Sequence, residues 1–305
     1  MRQATNKVFI EGILSENNLE YGSFINKDGK TTETIRGSFT VRVPQTVSGK
    51  PVVCEIPIHT FVVKYKKNGD INPAYTSMDD VKNNYVSIAS AGSEDEADRV
   101  RISGAEIRMN DFYGRNGALT SYPRITTSFV NRVAKDKFNP KTNFEVEMYI
   151  AAQDYEVDAE GNEKVDDEGN KRYIITGIVP QYGDRVDVVK FVCSNENVVG
   201  NVKDYWEIGS TVKATGVINF TSTTETILEQ QGFGEPIEKQ RTITKSDLVI
   251  TGGSAVPLDG DFAFSADDIK KGLAERKERI EADKARAEQK KATPGPAISA
   301  NDLGF

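Results

Sequence analysis

The sequence has one histidine, His59, and two cysteines, Cys54 and Cys193, in 305 residues. Two cysteines are too few for a disulfide framework or a cysteine-rich zinc site. A histidine-dependent nucleophile or base would have to rest on His59, which lies in the strand-like run Ile56–Phe61, and no catalytic role is assigned to it. There is no Gly-x-x-x-x-Gly-Lys-Ser/Thr loop and no Gly-x-Gly-x-x-Gly loop, so the common phosphate cradles are missing. No apolar run approaches the roughly 18 residues of a membrane-crossing helix. The N-terminus, Met1-Arg2-Gln3-Ala4-Thr5-Asn6, has no signal-peptide core, so a reducing cytoplasm is the expected compartment. No cofactor, no metal and no enzymatic activity are expected.

Basic charge is also short overall. The chain has 39 Lys/Arg against 46 Asp/Glu, a net charge of −7, whereas nucleic-acid-binding domains usually show a basic excess. The deficit is unevenly placed. Residues 1–135 carry +3, residues 136–265 carry −11 and residues 266–305 carry +1. The first region is therefore the part suited to a polyanion.

What the chain has in quantity is short β-rich runs separated by Gly, Asn and Asp. Five fall in the first 135 residues: Lys7–Leu14, Gly37–Val43, Val52–Ile58, Arg99–Met109 and Tyr122–Val130. In the second run Phe39, Val41 and Val43 alternate with Ser38, Thr40 and Arg42, as a half-buried strand requires. Ser77-Met78-Asp79-Asp80 offers a serine cap for a short helix between the third and fourth strands. That order is the order of an OB-fold barrel. Gly12 and Gly104 sit where a small closed barrel needs bends or bulges. A β-sandwich is compatible with the same strand count.

Residues 134–143 read as a polar linker, after which the pattern restarts. Phe144–Ile150, Tyr173–Val179, Arg185–Cys193, Gly209–Phe220 and Asp247–Ile250 are strand-like, with a helix or turn through Val198–Trp206. Tyr173–Val179 echoes Phe9–Leu14, and Gly209–Phe220 parallels Arg101–Ile107. The acids of Asp158–Asn162 and Asp166–Asn170 lack the alternate-ligand spacing and terminal Glu of a calcium loop, and read as Gly-Asn turns. Trp206 reads as core. From Ser265 the chain turns into a highly charged helix with few large apolar groups, Ile269, Leu273 and Ile280, which reads as solvated. Pro294-Gly295-Pro296 ends it, and a flexible tail follows. The expected fold is mainly β: two OB-like barrels in tandem, at 1–135 and 136–256, then a charged C-terminal helix and a disordered tail at 257–305.

The connection between the fourth and fifth strands, Asn110–Tyr122, flanks the ligand groove of an OB barrel. It holds Phe112, Tyr113, Arg115 and Tyr122. Single strands are bound by stacking bases on aromatic rings while cations track the phosphates. Arg42, Arg101, Arg108, Arg124 and Arg132 lie in or near the strands, and Lys64 and Lys66 follow the third. Phe39 and Phe129 are expected in the core. At the far end, Asp302-Leu303-Gly304-Phe305 combines an acid, an apolar plug and the α-carboxylate of Phe305, which suits a basic-rimmed pocket on a partner.

Phe9-Ile10-Glu11-Gly12-Ile13, Gly37–Val43, Val100–Gly104 and the Phe305 tail together resemble the single-stranded-DNA-binding proteins of replication, in particular the larger versions encoded by bacteriophages. The resemblance implies an OB-fold that coats single strands in replication, recombination and repair. It also implies that Asp302, Leu303 and Phe305 recruit partner proteins, and that Phe112, Tyr113 and Tyr122 take the place of the family's stacking tryptophans. Two other readings remain open: a structural or assembly protein of a virion that oligomerises through its helical arm, and a recombination accessory protein.

Overall fold

The computed structural model describes residues 1–26, 29–47, 49–114, 117–166, 168–230, 233 and 236–292. The first barrel contains β1 (Asn6–Ile25), β2 (Thr31–Val47), β3 (Lys50–Val63), α1 (Pro73–Asn84), α2 (Ile88–Ala91), β4 (Arg99–Tyr113), β5 (Leu119–Thr126) and the short β6 (Asn131–Arg132). The second contains β7 (Lys141–Tyr155), β8 (Tyr173–Pro180), β9 (Val186–Cys193), α3 (Glu196–Tyr205), β10 (Thr211–Glu229) and β11 (Ile237–Gly253), and α4 (Ala266–Ala292) follows. Each set closes on itself in the order first-second-third-fifth-fourth strand, through β1–β4 in one and β7–β10 in the other. In both, the third and fifth strands run parallel, Ile58 beside Ile125 and Val192 beside Val249. These are two OB-like barrels, each with its helix between third and fourth strands.

Alternation builds each wall. In β2 and β3, Ile35, Phe39, Val41, Cys54, Ile56 and Ile58 are fully buried, while Arg36, Ser38, Arg42, Glu55 and His59 face out. Burying each of the large side chains contributes about 1.5–3 kcal/mol. Gly12 is needed for close approach, since a Cβ there would lie 2.5 Å from the Arg42 carbonyl oxygen. Gly104 sits in a β-bulge instead: β4 spends an extra residue between the Ile10–Ile102 and Val8–Ala105 pairs. Gly216 flanks an irregularity in the β10–β11 pairing where β11 spends the extra residue, and a Cβ there would lie 2.0 Å from the Val249 oxygen.

The barrels are welded together. The start of β1 pairs with β4 on one side and with β7 on the other, Asn6 to Val146 through Glu11 to Lys141. The buried side chains of both barrels form one continuous core. Polar groups at the weld are matched. The Gln45 side chain donates to the Ile218 carbonyl at 2.6 Å and accepts from the Thr142 amide at 3.0 Å. The Asn6 amide exchanges hydrogen bonds with the backbone of Ile107. β7 begins inside the segment that composition marks as linker.

Several sequence expectations change. The helix between β3 and β4 starts at Pro73, capped by Asn72, whose side chain accepts from the Ala74 amide at 3.1 Å; Ser77 lies inside it. An Asn cap with Pro at the first helical position satisfies the helix start better than a serine further on. Tyr173–Pro180 is the second strand of its barrel, so its likeness to β1 is one of composition. Gly209–Phe220 lies largely in the fourth strand, as its likeness to β4 implies. Phe129 is 53% exposed, and the neighbouring Val130 takes the buried place. The chain leaves β5 after Thr126 and turns at Thr127, whose hydroxyl accepts from the Phe129 amide, which reverses the alternation. Trp206 is buried, and its indole donates to the Ser254 carbonyl at 2.8 Å. Asp158 and Asp166 form tight turns by accepting from the amides of Asn162 and Asn170.

α4 is only partly solvated. Ile269 is buried, Leu273 is half-buried, and a Cβ at Gly272 would lie 2.6 Å from Val186. Arg276 donates to both oxygens of Asp111 at 2.7 Å. The first half of the helix is therefore docked on β9 and β4 by an i, i+3, i+4, i+7 stripe. The expected flexible tail, with Asp302, Leu303 and Phe305, lies outside the described residues.

Candidate nucleic-acid interface

The pairing of β4 with β5 sorts their side chains by face. Glu106, Arg108, Asn110 and Phe112 stand on the same side as Thr126, Arg124 and Tyr122, while Ile107 and Ile125 point into the barrel. His59 of β3 is beside Thr126, and Phe61 follows two residues on, so all three strands contribute to one outer face. Because β3 and β5 touch over only two residue pairs, the face is hollowed there. The hollow is a groove of about 570 Å³ lined by His59, Phe61, Arg108, Arg124, Thr126 and Phe129 among others.

The groove carries cations and bare rings. Phe61 and Phe129 are exposed, and Phe24 packs on Phe61 with centroids 6.2 Å apart. Further along the β4–β5 hairpin, Phe112 and Tyr122 meet edge to face at 6.1 Å. Arg124 donates to Asn110 at 3.1 Å, and its Nε is buried with no hydrogen-bond partner among the described residues. Arg108 reaches Glu106 at 3.2 Å and Asp187 of the second barrel at 3.9 Å. Burial holds the pKa of His59 below its ordinary 6.5, and the positive charge of Arg124 adds to that. His59 is therefore mainly neutral at pH 7, an uncharged donor and acceptor near the Arg124 guanidinium.

The residues singled out in the sequence divide between this groove and other places. Arg108 and Arg124 line the groove, and Phe112 and Tyr122 stand in line with it. Tyr113 pairs with Leu119 on the opposite side of the hairpin from Phe112. Arg115 lies outside the described residues. Arg42 is bound to Glu94 at 3.1 Å and lies near Glu55, and Lys64 is bound to Glu33 at 2.7 Å. Arg101 holds the buried carboxylate of Glu11 at 2.7 Å. Glu11 also accepts from the Asn139 amide; burial pushes its pKa up, and these hydrogen bonds outweigh burial and hold it below 4.5. Arg132 is bound to Asp98 at 2.9 Å and covers the ring of Tyr85 at 4.0 Å. Lys66 is exposed in the turn before α1.

Sequence reasoning passed over Phe61 and His59 as candidate contact residues. The signal was there: with Cys54, Ile56 and Ile58 inward, period two sends His59 and Phe61 outward.

The hairpin is braced from behind. Its other face lies against the second barrel and α4, where Arg276 grips Asp111 and the Ser121 hydroxyl donates to the same carboxylate at 2.6 Å. A charged helix that reads as solvated thus fixes the aromatic pair in place.

The fold has counterparts among solved structures. A deletion variant of the single-stranded DNA binding protein from Thermus aquaticus matches with a TM-score of 0.50 at 9% identity, covering 87% of this chain and 99% of that one. The wild-type Thermus aquaticus protein matches at 0.47 with the same identity and coverage. A replication protein A heterotrimer bound to ssDNA matches at 0.21 and 12% identity, over 92% of this chain and 70% of that one. At such identities the likeness is one of fold. No curated protein matches the sequence. The YorF family model matches residues 4–286, both barrels and most of α4, and the chain belongs to the YorF family.

Proposed function

We propose that this protein binds single-stranded DNA on the outer face of its first barrel and catalyses no reaction. The observation that carries the reading is the groove itself. It joins Arg108, Arg124 and neutral His59 to the exposed rings of Phe61 and Phe129, with Phe112 and Tyr122 in line. Bases stack on such rings regardless of sequence, and guanidinium groups follow the phosphates. Arg42, Arg101 and Arg132, and Arg108 within the groove, would each have to release a carboxylate to reach a phosphate, which leaves Arg124 as the groove's guanidinium without an ion pair among the described residues. The shared fold with a protein named for single-stranded DNA binding supports the same reading.

In this reading the chain coats single strands during replication or recombination in the cytoplasm, in a phage-infected cell where the gene is phage-encoded. Asp302, Leu303 and Phe305 would recruit partner proteins. The test is competition by fluorescence anisotropy on full-length protein, with labelled oligo-dT displaced by unlabelled single strand or by duplex of the same length. Displacement by single strand at far lower concentration than by duplex is expected. Equal displacement, or no binding of oligo-dT, overturns the proposal.

A further inference from the structure

A second groove, of about 610 Å³, opens where β4, the β8–β9 turn and α4 meet. Arg108 lines both this groove and the one on the first barrel. The floor holds Gln181, 2% exposed, whose side-chain oxygen and nitrogen both lack a hydrogen-bond partner among the described residues. A buried amide with neither end satisfied is costly, so this one is set up for a polar ligand that both donates and accepts. Next to it Tyr182 is 82% exposed at the tip of the turn. The turn is held from outside the groove: Gly183 and Asp184 have φ of 74° and 58°, and the Met1 ammonium binds Asp184 at 2.9 Å.

Three arginines and three aspartates line the groove. Arg185 and Arg279 line the groove from opposite walls, with no ion-pair partner among the described residues. The acids there are engaged: Asp111 by Arg276, Asp283 by Arg286 at 3.2 Å, and Asp187, buried, faces Arg108. An exposed ring, two free guanidinium groups and an unsatisfied amide are the parts that recognise one unstacked nucleotide: ring for the base, amide for its edge, arginines for the flanking phosphates.

We infer that a single strand leaving the first-barrel groove passes over Arg108 into this seam, where Tyr182 stacks a base, Gln181 reads its edge, and Arg185 and Arg279 hold its phosphates beneath α4. The inference rests on the proposed function. The test uses the full chain, the variants Tyr182→Ala and Arg185→Ala/Arg279→Ala, and oligo-dT of about 6 and about 25 nucleotides, the shorter near the low end of what one OB barrel covers. These side chains lie at the surface, so the variants fold. On the longer strand Tyr182→Ala should weaken binding about 5- to 150-fold. The double variant should flatten the log–log salt slope by about 1.4. Neither should change binding of the short strand. Variants that bind the long strand as the wild type does, or lose affinity equally for both lengths, overturn the seam while leaving the first-barrel reading in place. A wild type that binds neither strand overturns both.

Discussion

Arg124→Gln removes the guanidinium at the centre of the first-barrel groove, and two independent effects should follow. Arg124 stands opposite Arg108 across the β4–β5 pair, and its Nε is a buried donor with no partner among the described residues. If it holds one phosphate, its loss flattens the log–log salt slope for oligo-dT by about 0.7. Extrapolated from a 1 M reference, that contact amounts to about fivefold in affinity at about 0.1 M salt, or about 1 kcal/mol. The second effect needs no DNA. His59 titrates below 6.5 chiefly because it is buried and secondarily because Arg124 is near, so the variant should raise its pKa part of the way back.

As the chain has one histidine, a single imidazole resonance reports this directly in an NMR pH titration. The sign of the stability effect follows. A histidine depressed in the fold contributes stability that is present above its unfolded pKa and is lost as pH falls below about 6.5, and the variant should lose less over that range. An unchanged salt slope together with an unchanged His59 titration would refute the reasoning.

Other variants separate contact from support. Phe61→Ala and Phe112→Ala should each weaken oligo-dT binding by about 1–3 kcal/mol without shifting the thermal midpoint, measured by anisotropy and calorimetry. Arg101→Ala should do the reverse: it strands the Glu11 carboxylate and destabilises the fold by about 1–3 kcal/mol in urea unfolding, with affinity for oligo-dT little changed. Gly216→Ala should cost at least about 2 kcal/mol in the same assay, because its Cβ collides with a backbone oxygen of β11.

Most of the architecture was readable from period-two runs, from the helix position between third and fourth strands, and from Gly104 as a bulge. The weld was not. Glu11 looks like an ordinary surface position on an alternating strand and Thr142 like part of a linker, and only the second pairing of β1 buries them. α4 hid for a related reason: its docked stripe is thin, with Gly272 and Arg276 taking places that an apolar pattern would fill with large side chains. For the site, the sequence lists arginines without showing which of them are already paired. Arg101 and Arg132 carry the same charge as Arg108 and Arg124, yet long-range partners Glu11 and Asp98 claim them, and no local pattern reveals a partner 90 residues away in the chain. The aromatic face was legible through alternation at His59 and Phe61, and illegible at Phe129, where a turn reverses it.

The most direct test of the central claim is the equilibrium affinity of the full chain for oligo-dT across a salt series from about 0.05 to 0.5 M. With three or more phosphates held by the groove and its flanks, the expected log–log slope is about −2 or steeper. Binding that does not respond to salt, or no binding at the lowest salt, would contradict it.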